Sequence, residues 1–114
     1  MKIAIIEDET AAAQNLSAIL RKVCPDIEIV DTIDTVVDSV EFFRSTPQLD
    51  LVFMDIHLAD GASFRIFNSV KVATPIIFTT AYDQYAIEAF KVNSIDYLLK
   101  PINEEIIHRA IDKW

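Results

Sequence analysis

Residues 51–61 read LVFMDIHLADG: four apolar residues with no polar interruption, then a carboxylate, Asp55. Such a run suits a strand covered on both faces, as in the middle of a parallel sheet. Three other stretches have the same form. Lys2 to Ile6 ends on Glu7 and Asp8, Ile76 to Phe78 on Thr79 and Thr80, and Tyr97 to Leu99 on Lys100 and Pro101. If these are parallel strands of one sheet, their carboxyl ends share the edge where open α/β sheets place their ligands. Three carboxylates, a hydroxyl and an ammonium would then meet in one pocket.

Between the apolar runs lie segments of helical period, the alternation expected of successive βαβ units. Strands are expected at Lys2–Ile6, Glu28–Val30, Leu51–Met54, Pro75–Thr79 and Ser94–Leu98. Helices are expected at Glu9–Val23, Thr35–Arg44, Ala62–Lys71, Asp83–Lys91 and Asn103–Lys113. Ala12, Leu16, Ile19, Leu20 and Val23 form an apolar stripe on the first helix, which Pro25 stops; Val36, Val37, Val40 and Phe43 do so on the second. Right-handed crossovers leave few topologies, and the common one is the flavodoxin-like doubly wound (βα)5 fold, with a five-stranded parallel sheet ordered 2-1-3-4-5. Strands one and three flank its switch point, and both end in carboxylates.

The 114 residues fit one domain, and a 52% hydrophobic chain with a single glycine is expected to be globular throughout. No apolar stretch approaches the roughly 18 residues of a membrane span, and the N-terminus runs straight into a strand, so a soluble cytoplasmic chain with no membrane partner is expected. Cys24 stands alone, without a partner for a disulfide or a metal motif. A net charge of -8 with scattered basic residues argues against direct nucleic-acid binding. The acidic run Glu7-Asp8-Glu9 instead suits a cation.

Glu7, Asp8 and Asp55 at one edge would repel, raising a pKa or recruiting an ion. Mg2+ favours one or two carboxylates together with water and phosphate oxygens, so the cluster suggests an ion bound beside a phosphoryl group. A carboxylate there can also attack phosphorus, and Asp55, ending the most buried run, is the choice for that role. Thr80 and Lys100 would supply donors to the phosphoryl oxygens opposite the ion. Pro101 directly after Lys100 raises the chance of a cis peptide that aims the lysine inward. Each residue has a plainer explanation alone, as a helix cap, a loop acid or a turn; their joint placement is what argues for a site.

The stretches IAIIEDE, LVFMDIHLADG, FTTAYDQYAIEAF and DYLLKPI, in this order and spacing, resemble the receiver domain of two-component response regulators over nearly the whole chain. The resemblance implies that Glu7 and Asp8 are the metal-binding acid pair, that Asp55 takes phosphate from a sensor histidine kinase, and that the main-chain carbonyl of His57 is a further Mg2+ ligand. It implies that Thr80 is the switch hydroxyl, Lys100 the phosphate-contacting lysine and Tyr97 the aromatic switch. His57 and Tyr82 match positions that tune phosphate loss. Residues 79–102 look most like the LytTR branch, whose receivers usually precede a DNA-binding domain. The chain stops about where a receiver's last helix would finish, so a receiver spanning 1–114 is expected, either free-standing or, the favoured alternative, excised from a longer regulator, with DNA reached only through an output domain absent here. Homodimerisation on activation, through the face of the fourth helix, fifth strand and fifth helix, is a family expectation. Such a domain signals, catalysing only its own phosphorylation and dephosphorylation.

Two departures stand out: Glu7 where aspartate is usual, and IHLADG, which reaches its glycine early and carries Ala59 where proline is common. An aspartate-nucleophile phosphohydrolase would usually place a second aspartate where His57 stands. A nucleotide or flavin binder would need a glycine-rich phosphate loop that a chain with only Gly61 lacks. A receiver-fold interaction module that works without phosphorylation is the remaining alternative.

Overall fold

The structure is a computed structural model that describes residues 1–82, 89 and 94–114. Five strands form one parallel sheet: β1 (Lys2–Ile6), β2 (Glu28–Ile33), β3 (Leu51–Asp55), β4 (Ile76–Thr80) and β5 (Ser94–Leu99), in the order 2-1-3-4-5. The helices are α1 (Thr10–Val23), α2 (Val36–Arg44), a single turn α3 (Ile66–Ser69) and a C-terminal helix (Glu104–Lys113). The helix expected at Asp83–Lys91 lies outside the described residues.

The period of two in the strands divides the core into two layers. Ile3, Ile5, Leu51, Phe53 and Ile77 face Leu16 and Leu20 of α1 and Ile107 and Ala110 of the C-terminal helix. Ala4, Ile6, Val52, Met54, Ile76 and Phe78 face the other way, toward Val40 and Phe43 of α2 and Ile66 of α3. With helices on both faces, every residue of β3 and β4 is buried, which explains their unbroken apolar sequences.

Several boundaries differ from the sequence reading. β2 continues to Ile33, because an edge strand tolerates the exposed Asp31 and Thr32 while pairing with Ala4 and Ile5. β3 takes in Asp55, β4 runs from Ile76 to Thr80, and β5 extends to Leu99. Glu9 and Asn103 are caps and not helical residues, and Asn103 Oδ1 accepts the Ile106 N–H at 2.9 Å. Thr35 likewise caps α2, accepting the Asp38 N–H at 3.0 Å. Val37 lies on the outside of α2, 65% exposed, so the apolar stripe there is narrower than its sequence suggests.

The helix expected at Ala62–Lys71 is the largest correction. Residues His57–Leu58 and Gly61–Ala62 pair as a short antiparallel hairpin, followed by a 3-10 turn (Ser63–Arg65) and then α3. The hairpin takes up the start of the expected helix. At the other end Val70 is already extended, and the β-branched Val72 and Thr74, the latter directly before Pro75, favour extended chain over helix.

Candidate functional site

β1 and β3 lie side by side and deliver Glu7 and Asp55 to the same edge. Glu7 is held by its own backbone, whose N–H donates to the Ile33 carbonyl at 2.8 Å. Glu7 and Asp55 are buried and Asp8 is exposed, and carboxylate oxygens of the three lie within 4.8 Å of one another. Lys100, at the end of β5, places Nζ 2.5 Å from Glu7 Oε1 and 3.1 Å from Asp55 Oδ2. Its backbone N–H donates to the Thr80 carbonyl at 2.7 Å, and the Lys100–Pro101 peptide is cis.

The other carboxylate oxygens are also engaged. Asp55 Oδ1 accepts the Ile56 N–H at 2.7 Å, and Glu7 Oε2 the Glu9 N–H at 3.2 Å. Burial, reinforced by the charge of Asp55 and opposed by the Lys100 hydrogen bond, pushes the Glu7 carboxyl above its ordinary value. Partial desolvation and its contact with Glu7 push Asp8 upward as well. Burial alone would lower Lys100, yet its bond to Glu7 and the charge of Asp55 outweigh that, and its pKa is raised. One ammonium thus faces three acids, and the site carries more negative charge than it neutralises.

This donor set fits a small hard cation: all three acids offer oxygen, and their separation is within reach of one ion with metal–oxygen bonds of about 2.0–2.1 Å after modest side-chain adjustment. Ile56 O accepts the Ser63 N–H at 2.7 Å, so the next pair of the ladder, His57 with Ala62, is the non-hydrogen-bonded kind and the His57 carbonyl turns away from its partner strand.

Thr80 is fully buried at the end of β4, and its Oγ1 accepts the Tyr82 N–H at 3.3 Å. Tyr97, half-buried on β5 and paired with Phe78, donates its hydroxyl to the Tyr82 carbonyl. The Tyr82 ring meets the His57 ring edge-on, with centroids 4.9 Å apart at 79°. The structure therefore brings Glu7, Asp8, Asp55 and Lys100 into one cluster, and joins Thr80, Tyr97, Tyr82 and His57 in a chain of contacts beside it. An open groove of about 590 Å³ leads from Glu7 and Asp8 along α1 past Gln14 and Ser17 to Arg21.

Sequence reasoning missed Asp60. Its carboxylate accepts the N–H groups of Val36 at 2.6 Å and Val37 at 3.2 Å, so a residue of the hairpin turn caps α2 from across the fold. Donors and acceptor are more than twenty positions apart, and no local pattern marks such a cap.

Residues 3–112 match the response regulator receiver domain family. The chain is 40% identical over its whole length to the sensory transduction protein LytT of Bacillus cereus, and 34% identical over 99% of its length to the transcriptional regulatory protein LytR of Staphylococcus aureus strain N315. It spans 47% and 46% of those two proteins, about half their length. The crystal structure of the response regulatory domain of protein mrkE from Klebsiella pneumoniae superposes with a TM-score of 0.86 at 31% identity, covering 99% of this chain and 93% of that one. Among the described residues no helix is long and apolar enough to cross a membrane. By sequence over almost its entire length and by fold, this chain belongs to the response regulator receiver domain family, alongside the receivers of LytT and LytR regulators.

Proposed function

We propose that Asp55 is the phosphoryl acceptor of this receiver, working with Mg2+ held by Asp8, Asp55, Glu7 and the His57 carbonyl, and that a sensor histidine kinase is the donor. The observation that carries the reading is the cluster itself: three carboxylates within 4.8 Å at the ends of adjacent strands, two of them bridged by Lys100. Asp55 Oδ attacks the phosphorus of a phosphohistidine, a phosphorus–oxygen bond forms as the phosphorus–nitrogen bond breaks, and the electron pair leaves with the imidazole. A bound Mg2+ would neutralise charge on the phosphoryl oxygens during transfer. Lys100 donates to a phosphoryl oxygen, and the Thr80 hydroxyl moves to donate to another. The groove along α1 opens onto Glu7 and Asp8, the metal-binding side of the cluster.

The phosphoryl group adds about two negative charges, which draw Thr80 and Lys100 inward and change the packing of Tyr97 through Tyr82. The β5 surface and its helical neighbours thereby switch between two packings, which controls homodimerisation and an output segment, in this branch a LytTR-type DNA-binding domain regulating transcription. In this reading the domain signals from the cytoplasm and catalyses only its own phosphorylation and dephosphorylation.

Intact mass after incubation with Mg2+ and acetyl phosphate tests this, beside Asp55→Ala. A metal-dependent gain of one phosphoryl group, absent from the variant, is expected. No gain in the wild type, with beryllofluoride also failing to bind, would favour a receiver-fold module that acts without phosphorylation.

A further inference from the structure

Asp60 occupies the turn of the hairpin that begins two residues after Asp55. Its carboxylate accepts from Val36 at 2.6 Å and Val37 at 3.2 Å, two of the N–H groups that the first turn of a helix leaves unpaired. Its carbonyl also accepts from Arg65 Nη1 at 3.5 Å. Thr35 already caps α2 locally through Asp38, so Asp60 adds a second, tertiary cap to the same helix. The hairpin is short and exposed at its tip, and its turn passes through Gly61 at φ 142°, where a side chain would be strained. Besides its ladder, this segment is anchored at the tip by Asp60.

We propose that Asp60 is a positioning residue for the metal centre: by clamping the hairpin tip to α2 it holds the main chain at His57 with its carbonyl turned out of the ladder, the orientation required of the proposed Mg2+ ligand. The clamp acts through three linked pieces. The α2 N-terminus fixes Asp60, the pairing of Leu58 with Gly61 and His57 with Ala62 carries that constraint down the ladder, and the Ser63 bond to Ile56 O sets which way the next carbonyl faces. Groups that orient a ligand without touching the metal commonly contribute tenfold or more to affinity. The proposal rests on the magnesium-dependent reading above.

The test separates this role from simple helix capping. Mg2+ is titrated by calorimetry into wild type, Asp60→Asn, Asp60→Ala and Thr35→Ala, each first checked for native circular dichroism. Thr35→Ala removes the local cap of the same helix and leaves the hairpin alone. Asp60→Ala is expected to bind Mg2+ about tenfold more weakly, Asp60→Asn to fall between, since its amide keeps one acceptor, and Thr35→Ala to match wild type. Amide exchange at Ile56 to Leu58, measured without metal, should quicken in Asp60→Ala and not in Thr35→Ala. Wild-type affinity in both Asp60 variants, or equal weakening in Thr35→Ala, overturns the clamp alone. A wild type that binds no Mg2+ overturns the underlying reading and the clamp with it.

Discussion

Lys100 Nζ sits 2.5 Å from Glu7 Oε1 and 3.1 Å from Asp55 Oδ2, so a single ammonium ties the ends of β1, β3 and β5 together. Removing one member of a buried ion pair leaves the other desolvated and unpaired, at a cost of roughly 3–5 kcal/mol. Here the lysine side chain keeps 24% of its exposure, which lets water screen part of that cost. Lys100→Met should therefore lower stability in metal-free buffer by about 1–3 kcal/mol at neutral pH, read from urea unfolding. An unchanged midpoint would mean that the bridge is not a stabilising contact.

Glu7 predicts a pH dependence of opposite sign to the usual carboxylate. Burial raises its folded pKa, so the fold favours the protonated form. That contribution is present in full below the unfolded-chain pKa and is lost as pH rises through the higher folded value. The amide of Glu7→Gln has no proton to lose. Its advantage in Tm over wild type should open as pH rises out of the ordinary carboxylate range and then level off; a difference independent of pH would contradict this.

Asp60 gives the normal sign. Its hydrogen bond from Val36, with that from Val37, holds the carboxyl below its ordinary value. The stability it contributes is present above the unfolded pKa and disappears as pH falls through the folded one. Thermal melts of wild type should lose Tm over that acidic window, and Asp60→Asn should be flatter there.

Phe78 is fully buried on β4, and its ring meets those of Phe64 at 5.4 Å and Phe67 at 6.5 Å. Phe78→Ala should cost about 3–5 kcal/mol, because the lost burial is joined by a cavity that the short α3 cannot fill. A loss below about 1 kcal/mol in chemical denaturation would show that this layer repacks.

His57 and Tyr82, each two residues beyond a proposed site residue, Asp55 and Thr80, meet edge-on, and such a pair is expected to screen an acyl phosphate from water. Slow autodephosphorylation is expected. Replacing both with alanine should speed decay of the phosphorylated protein roughly tenfold, equivalent to about 1.4 kcal/mol of barrier. Equal lifetimes would remove the aromatic pair from any such role.

The sheet and its order were legible because LVFM and IIF admit little but a strand buried on both faces, and because the acids ending the first and third runs coincide with the switch point. The edge strand extends further than its sequence suggests: exposed Asp31 and Thr32 look like loop until their pairing with β1 is known. The hairpin after Asp55 was invisible for a different reason. Gly61 and Ala62 turn back to pair with Leu58 and His57, and Asp60 reaches across to the first turn of α2, tertiary contacts with no sequence period. Side-chain chemistry at strand ends was readable residue by residue; the bridging of two acids by Lys100 required the register of β1, β3 and β5.

The most direct test of the acceptor assignment is to phosphorylate the protein with acetyl phosphate and Mg2+, reduce the acyl phosphate with borohydride, and sequence the peptides by mass spectrometry. Reduction at position 55 alone, dependent on the metal, is the predicted result. Reduction at Glu7 or Asp8, or none anywhere despite a bound phosphoryl group, would contradict it.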